Sequence, residues 1–272
     1  MKKIFSILLV VISTIVYAKP TVVVSILPQE TFVKKIAKDK LDVTVMVTPG
    51  SSPHSYEPKP SQMISISKAD VYFSIGIEFE DTWLDRFKSQ NKELKFVNLS
   101  DKIEKIEKNH RKSLDPHTWT SPNNVKIMAQ SIYETLVQVD PLNEKFYKSN
   151  LNDFINEIKD TDTKIKDILK DTKPKTKFMA FHPAWGYFAK DYNLVQIAVK
   201  IEGKKPKPKD MIMVINEAKE ENIKVIFTQP EFSDKSTQVI AKEMNINVKK
   251  ISPLDTNWSE NLINMASAIA NK

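Results

Sequence analysis

Four histidines occur in the 272 residues, and three of them stand where a strand is expected to hand over to a loop. His54 lies in TPGSSPHSYEPKP after LDVTVMV, His117 in DPHTWTSPNN, and His182 directly follows KFMAF. Asp255, in ISPLDTNW after NVKKI, occupies the same kind of place. Neutral imidazole ligates divalent first-row metals and a carboxylate completes a tetrahedral set, so His54, His117, His182 and Asp255 match a zinc site. Taken singly, each histidine has a competing account as an ordinary core or surface residue. What speaks for a shared site is the coincidence of their positions in two similar halves of the chain. His110, in the charged stretch EKNHRKS, reads as a solvated surface residue.

Two rival chemistries use the same residues. A hydrolytic zinc centre keeps three protein ligands and an open position for water. Glu57, three residues after His54, would be its general base; otherwise Glu57 fixes the loop beside Pro58 and Pro60. A four-ligand set leaves no such open position, and the sequence holds neither HExxH nor GxSxG. The expectation is a binding protein without enzymatic activity. Trp119, Trp185 and Tyr187 could line a cleft for an organic solute or metal chelate; the simpler account has them packing around the metal site. The four glycines (Gly50, Gly76, Gly186 and Gly203) form no GxGxxG and no P-loop, which excludes a nucleotide cradled on a glycine-rich turn.

The elements that would position these residues are legible as apolar patterns. TVVVSI (21–26), LDVTVMV (41–47), VYFSIG (71–76) and LKFVNL (94–99) read as strands, with helical spacing at Phe32, Val33 and Ile36, over 61–68, and at Trp83, Leu84 and Phe87. Residues 101–116 read as a loop. Ser121-Pro122 supplies an N-cap and a proline at the first helical position, with Val125, Met128, Ile132 and Leu136 on one face. From Pro141 to about Asp171 there is no glycine or internal proline. Phe146, Phe154, Ile158, Ile165 and Leu169 mark an apolar stripe, which predicts one helix of about 30 residues. The alternation then restarts with strands at 177–181, 194–199, 224–229 and 247–251, and helices at 208–221, 234–244 and 258–271. The predicted fold is α/β: two similar lobes, each a parallel β-sheet flanked by helices, bridged by one long rigid helix. Ligands in such sheets bind at the carboxyl ends of the strands, which places the site in the interlobe cleft.

The chain starts with Lys2 and Lys3, an apolar run to Tyr17, and Ala18 at a small-residue cleavage position, the pattern of a secretory signal peptide. The expected organisation is a signal peptide at 1–18, an N-terminal lobe at 19–140, a bridging helix at 141–172 and a C-terminal lobe at 173–272. No cysteine is present, so neither disulfides nor a lipidated cysteine is available. A free periplasmic protein is expected, acting as a monomer. The formal charge of +7 is mild, and its lysines alternate with acids along helices. No basic stripe interleaved with aromatics occurs, so no nucleic-acid partner is expected.

Longer stretches carry a family resemblance. HSYEPKPSQ (54–62) resembles the H-x-Y-E-P-x-P signature of the cluster A-I solute-binding proteins of ATP-driven (ABC) metal importers. DPHTWTSPNN (115–124) resembles that family's D-P-H-x-W-x-x-P-x-N, and FHPAWGYFAKDYNL (181–194) its F-H-x-A-x-G-Y-F-A-x-x-Y-x-L. Residues 206–243 are similar to its C-lobe helix, strand and helix. The resemblance implies metal ligands at His54, His117, His182 and Asp255, and a membrane permease with a cytoplasmic ATPase as partner. Histidine at the third ligand position goes mostly with Zn2+, glutamate there with Mn2+, and nitrogen ligands favour zinc on physical grounds too. Capture and delivery of Zn2+ is therefore expected. The same role for Mn2+ or Fe2+ is the alternative, kept open by a 101–116 stretch that holds only His110 where zinc-specific members often carry a histidine-rich loop.

Overall fold

The computed structural model describes residues 19–107, 114–199, 208–229, 242–243 and 246–271. The expected signal peptide at 1–18, His110 and most of the helix expected at 234–244 lie outside the described residues.

The first lobe alternates β1 (Thr21–Val24), α1 (Leu27–Ala37), β2 (Asp42–Val45), α2 (Pro60–Lys68), β3 (Val71–Ser74), α3 (Glu78–Gln90) and β4 (Lys95–Asn98). α4 (Pro122–Val139) and α5 (Glu144–Leu169) follow. The second lobe contains β5 (Lys177–Ala180), α6 (Gly186–Asp191), β6 (Val195–Ala198), α7 (Pro208–Glu220), β7 (Val225–Thr228), β8 (Asn247–Lys250) and α8 (Trp258–Ala270). The two sheets are parallel throughout and share one plan, β2-β1-β3-β4 and β6-β5-β7-β8. In each, the connection reverses beside the first strand, which opens a crevice at the carboxyl ends. Val22, Val23 and Val24 are wholly buried, as a parallel strand covered on both faces requires.

Ser121 caps α4 as its sequence predicts: its Oγ accepts the Asn124 amide at 3.2 Å, and Pro122 takes the first helical position. The long helix differs from expectation at its start. Pro141–Asn143 form a separate 3-10 turn, and α5 proper has 26 residues, about 39 Å at 1.5 Å per residue. Asp140 organises this break, its Oδ2 accepting the Asn143 side-chain amide at 2.7 Å and the Tyr147 hydroxyl at 2.5 Å. Tyr147 and Leu151 are buried on the same face as Phe154, Ile158, Ile165 and Leu169, while Phe146 is only partly covered.

α5 touches both lobes. Asn150 donates to the Ile36 carbonyl of α1 at 2.9 Å, and Glu157 receives Lys35 of α1 at 2.6 Å and the Ser259 hydroxyl of α8 at 3.0 Å. The apolar interior is shared as well. Val22, Phe32, Phe73, Ile158, Phe178, Phe227 and Trp258 belong to one continuous core, in which Phe32 meets Trp258 edge to face at 5.6 Å and Phe154 at 5.7 Å. A smaller cluster around Met179, Val214, Ala218 and Ile226 fills the far side of the second sheet. Among the described residues, no helix is long and apolar enough to cross a membrane.

Candidate metal centre

His54 sits in the loop between β2 and α2. Gly50, at φ +81°, lets that loop turn, and short-range bonds hold it: Thr48 with Ser51, the Ser55 amide on the Ser52 carbonyl, and the His54 amide on Ser52 Oγ at 3.3 Å. His117 lies in the turn that enters a 3-10 helix at Thr118–Thr120, and its carbonyl accepts from the Thr120 amide and hydroxyl. His182 lies two residues past the end of β5, and the Ala184 amide closes a turn onto its carbonyl at 2.8 Å.

These three loops converge. The facing nitrogens of His54, His117 and His182 all lie within 4.8 Å of one another. His182 Nε2 stands between the other two, 3.2 Å from His54 Nε2 and 3.0 Å from His117 Nε2. Three imidazoles around tetrahedral zinc, with Zn–N near 2.0–2.1 Å, would have their nitrogens about 3.3 Å apart. The two spacings from His182 lie just inside that value, and the His54–His117 spacing stays within 4.8 Å.

The outward nitrogens face carboxylates. His117 Nδ1 is 2.6 Å from Asp115 Oδ1, which also accepts the His117 amide at 2.9 Å. His54 Nδ1 is 2.6 Å from Glu78 Oε2. An ionised carboxylate can only accept, so each ring donates from Nδ1, and in its neutral form leaves the Nε2 lone pair free. Lone pairs aimed at one point favour a cation there, in the carboxylate–histidine–metal pattern. His117 is almost wholly enclosed, whereas about a third of the His54 side chain meets solvent.

Asp255 does not join the cluster. Its Oδ1 accepts the Asn257 amide at 2.8 Å in the turn before α8. Glu57 is exposed, and the carboxylate beside His54 is Glu78. Trp119, Trp185 and Tyr187 are buried rather than lining an open cleft. Trp119 Nε1 donates to the Pro253 carbonyl at 2.6 Å and the Tyr187 hydroxyl to the Asp115 carbonyl at 2.8 Å. Sequence reasoning assigned no role to Asp115 or Glu78 alone. Asp115 lay within a quoted motif two residues before His117, whereas Glu78 carries no local signal at all.

A further carboxyl, Glu80, is buried and shapes this end of the first sheet. Glu80 accepts the amides of Ile75 at 3.0 Å and Gly76 at 2.7 Å, together with the Ser25 hydroxyl. Burial pushes its pKa up to about 7, against the lowering effect of those hydrogen bonds.

Comparison with known proteins places this geometry in context. Residues 22–272 match the family described as zinc-uptake complex component A, periplasmic. The high-affinity zinc uptake system protein ZnuA of Bacillus subtilis is 29% identical over 252 residues, 86% of this chain and 78% of that protein. The manganese ABC transporter substrate-binding lipoprotein PsaA of Streptococcus mitis is 27% identical over 228 residues, 78% of this chain and 73% of that protein. A crystal structure of ZnuA superposes with a TM-score of 0.85 at 39% identity, covering 93% of this chain and 99% of that one.

Proposed function

Because this chain belongs to the family of periplasmic zinc-uptake component A proteins, we propose that it captures Zn2+ through His54, His117 and His182 and hands it to the membrane permease of an ABC importer. The observation that carries the assignment is the convergence of three imidazoles, with His182 Nε2 standing 3.2 Å and 3.0 Å from the other two, spacings suited to one tetrahedral ion. Three imidazoles form a softer donor set than the oxygen-rich ones manganese prefers, so zinc is the first cargo and Mn2+ the second. Asp255 or water completes the coordination; for Asp255 this requires its Oδ1 to leave the Asn257 amide.

The relatives named above are uptake and substrate-binding proteins, and this chain is read likewise as a carrier without catalysis. Its working form is taken as a monomer of two lobes, 19–140 and 173–272, around the helical segment 141–172. Residues 1–18 act as an export signal, and with no cysteine in the sequence no thioether lipid is attached. Nucleic acid has no part in this function.

Metal analysis of protein purified without added metal, followed by competition titration with Zn2+ and Mn2+, tests the reading. One equivalent of zinc, held far more tightly than manganese, is the expected result. Preference for manganese, or failure to bind either ion, would overturn it.

A further inference from the structure

The structure assigns Glu78 a positioning role: its carboxylate sets the proton position of His54 and the stance of the loop that carries it, so that Nε2 faces His117 and His182. This rests on the three-histidine reading above.

The two carboxylate-held histidines are built differently. Asp115 is two residues from His117, buried, and bonded to both the ring and the amide of that residue. His54 gets its carboxylate from another segment, 24 positions along the chain. Glu78 opens α3, immediately after the turn at Gly76, whose φ of +87° suits glycine. That turn is fixed from beneath by buried Glu80, which accepts the Ile75 and Gly76 amides. The neighbouring residue Phe79 is buried and meets Tyr56 edge to face at 5.8 Å, two residues beyond His54. The first turn of α3 therefore holds the histidine loop twice, by an apolar contact at Tyr56 and by a charged hydrogen bond at His54.

Glu78 is not placed as a fourth ligand. Its oxygen sits on the Nδ1 side of the ring, opposite the Nε2 that faces the other histidines, and it lies outside their cluster. What it supplies is orientation, a fixed tautomer and added electron density on Nε2. Contacts of this kind are worth about 10–100-fold in metal affinity. Glu78 lies at the surface with about two fifths of its side chain exposed, so its replacement should leave the fold intact.

The test compares wild type, Glu78→Ala, Glu78→Gln and His54→Ala. Zinc affinity is read by chelator competition, melting temperature on the metal-free proteins, and the His54 tautomer from ring 15N shifts. Wild-type His54 should carry its hydrogen on Nδ1. Glu78→Ala should lose about 10–100-fold in zinc affinity with little change in melting temperature. Glu78→Gln should fall between, because a neutral amide oxygen still accepts the bond. Zinc affinity in Glu78→Ala within about twofold of wild type, or wild-type His54 protonated on Nε2, would overturn the inference. His54→Ala separates the two levels. If it loses zinc while Glu78→Ala does not, only the role of Glu78 fails; if His54→Ala also binds normally, the three-histidine site itself is wrong.

Discussion

Tyr187 donates its hydroxyl hydrogen to the carbonyl of Asp115 across 2.8 Å, tying α6 of the second lobe to the segment that carries His117. Three more bonds fasten the same segment. Trp119 Nε1 donates to the Pro253 carbonyl at 2.6 Å, Trp258 Nε1 to the Trp119 carbonyl at 2.7 Å, and Ser121 Oγ to Asp191 Oδ2 at 2.5 Å. His117 precedes the long helix in sequence yet is anchored to the lobe that supplies His182. Thr118 Oγ1 also meets Ser100 Oγ of the first lobe at 2.7 Å, so the His117 turn is braced from both sides, while His54 approaches on the β2–α2 loop.

Zinc should therefore order one loop more than the others. Amide exchange measured with and without zinc is expected to slow at residues 49–57, where short-range bonds predominate, and to change little at 115–121. Equal protection of both segments would mean that the His117 turn is not preformed.

Gly186→Ala should weaken zinc binding by disturbing Asp115. A Cβ at position 186 would lie 2.8 Å from Asp115 Oδ2 and 2.9 Å from the Ile106 methyl. Asp115 is buried and already bonded to His117, so its displacement unhooks the ring. About tenfold weaker affinity is expected, the low end of such effects, and calorimetric titration against wild type measures it.

Glu80 should make stability depend on pH. Its pKa is 4.5 when unfolded and about 7 when folded. Between those values the folded chain keeps a proton that the unfolded chain gives up. The contribution is thus fully present below pH 4.5 and lost as pH rises through 7. Urea unfolding of metal-free protein should show wild type losing up to about 3 kcal/mol relative to Glu80→Gln between pH 5 and 8. A difference that is constant with pH would contradict the buried-carboxyl account.

Protons should compete with zinc at more than one position. Each imidazole must be neutral to ligate, so protons compete with the metal for the same nitrogens. Zinc affinity should fall between pH 7 and 5 with a slope above one proton per metal, and His117→Ala should lower that slope. The slope follows from competition titrations at several pH values.

The alternation of strand and helix was readable because buried parallel strands need unbroken apolar runs, as in Val22-Val23-Val24 and Val71-Tyr72-Phe73. Ser121-Pro122 announced α4 because capping chemistry is local. Helix α6 went unread: it has six residues, too few to display a period. The start of α5 was misplaced because the bonds from Asn143 and Tyr147 to Asp140, which split off the first turn, are specific contacts and leave no periodic trace. His54, His117 and His182 stood out by type and place. Glu78 could not, because its contact exists only once the proline-rich loop has folded against α3. Asp255 had the right position after a strand, but position does not reveal that its Oδ1 is engaged by Asn257.

The apolar core that passes unbroken from one lobe to the other has a kinetic consequence at the membrane. Lobes sharing one interior cannot swing apart without exposing it, so empty and loaded molecules are expected to present nearly the same outline. Empty copies should then compete with loaded ones for the proposed importer, and uptake should follow the ratio between them rather than the total. Under zinc starvation, making more of this protein beyond a certain level should slow the flux it exists to carry.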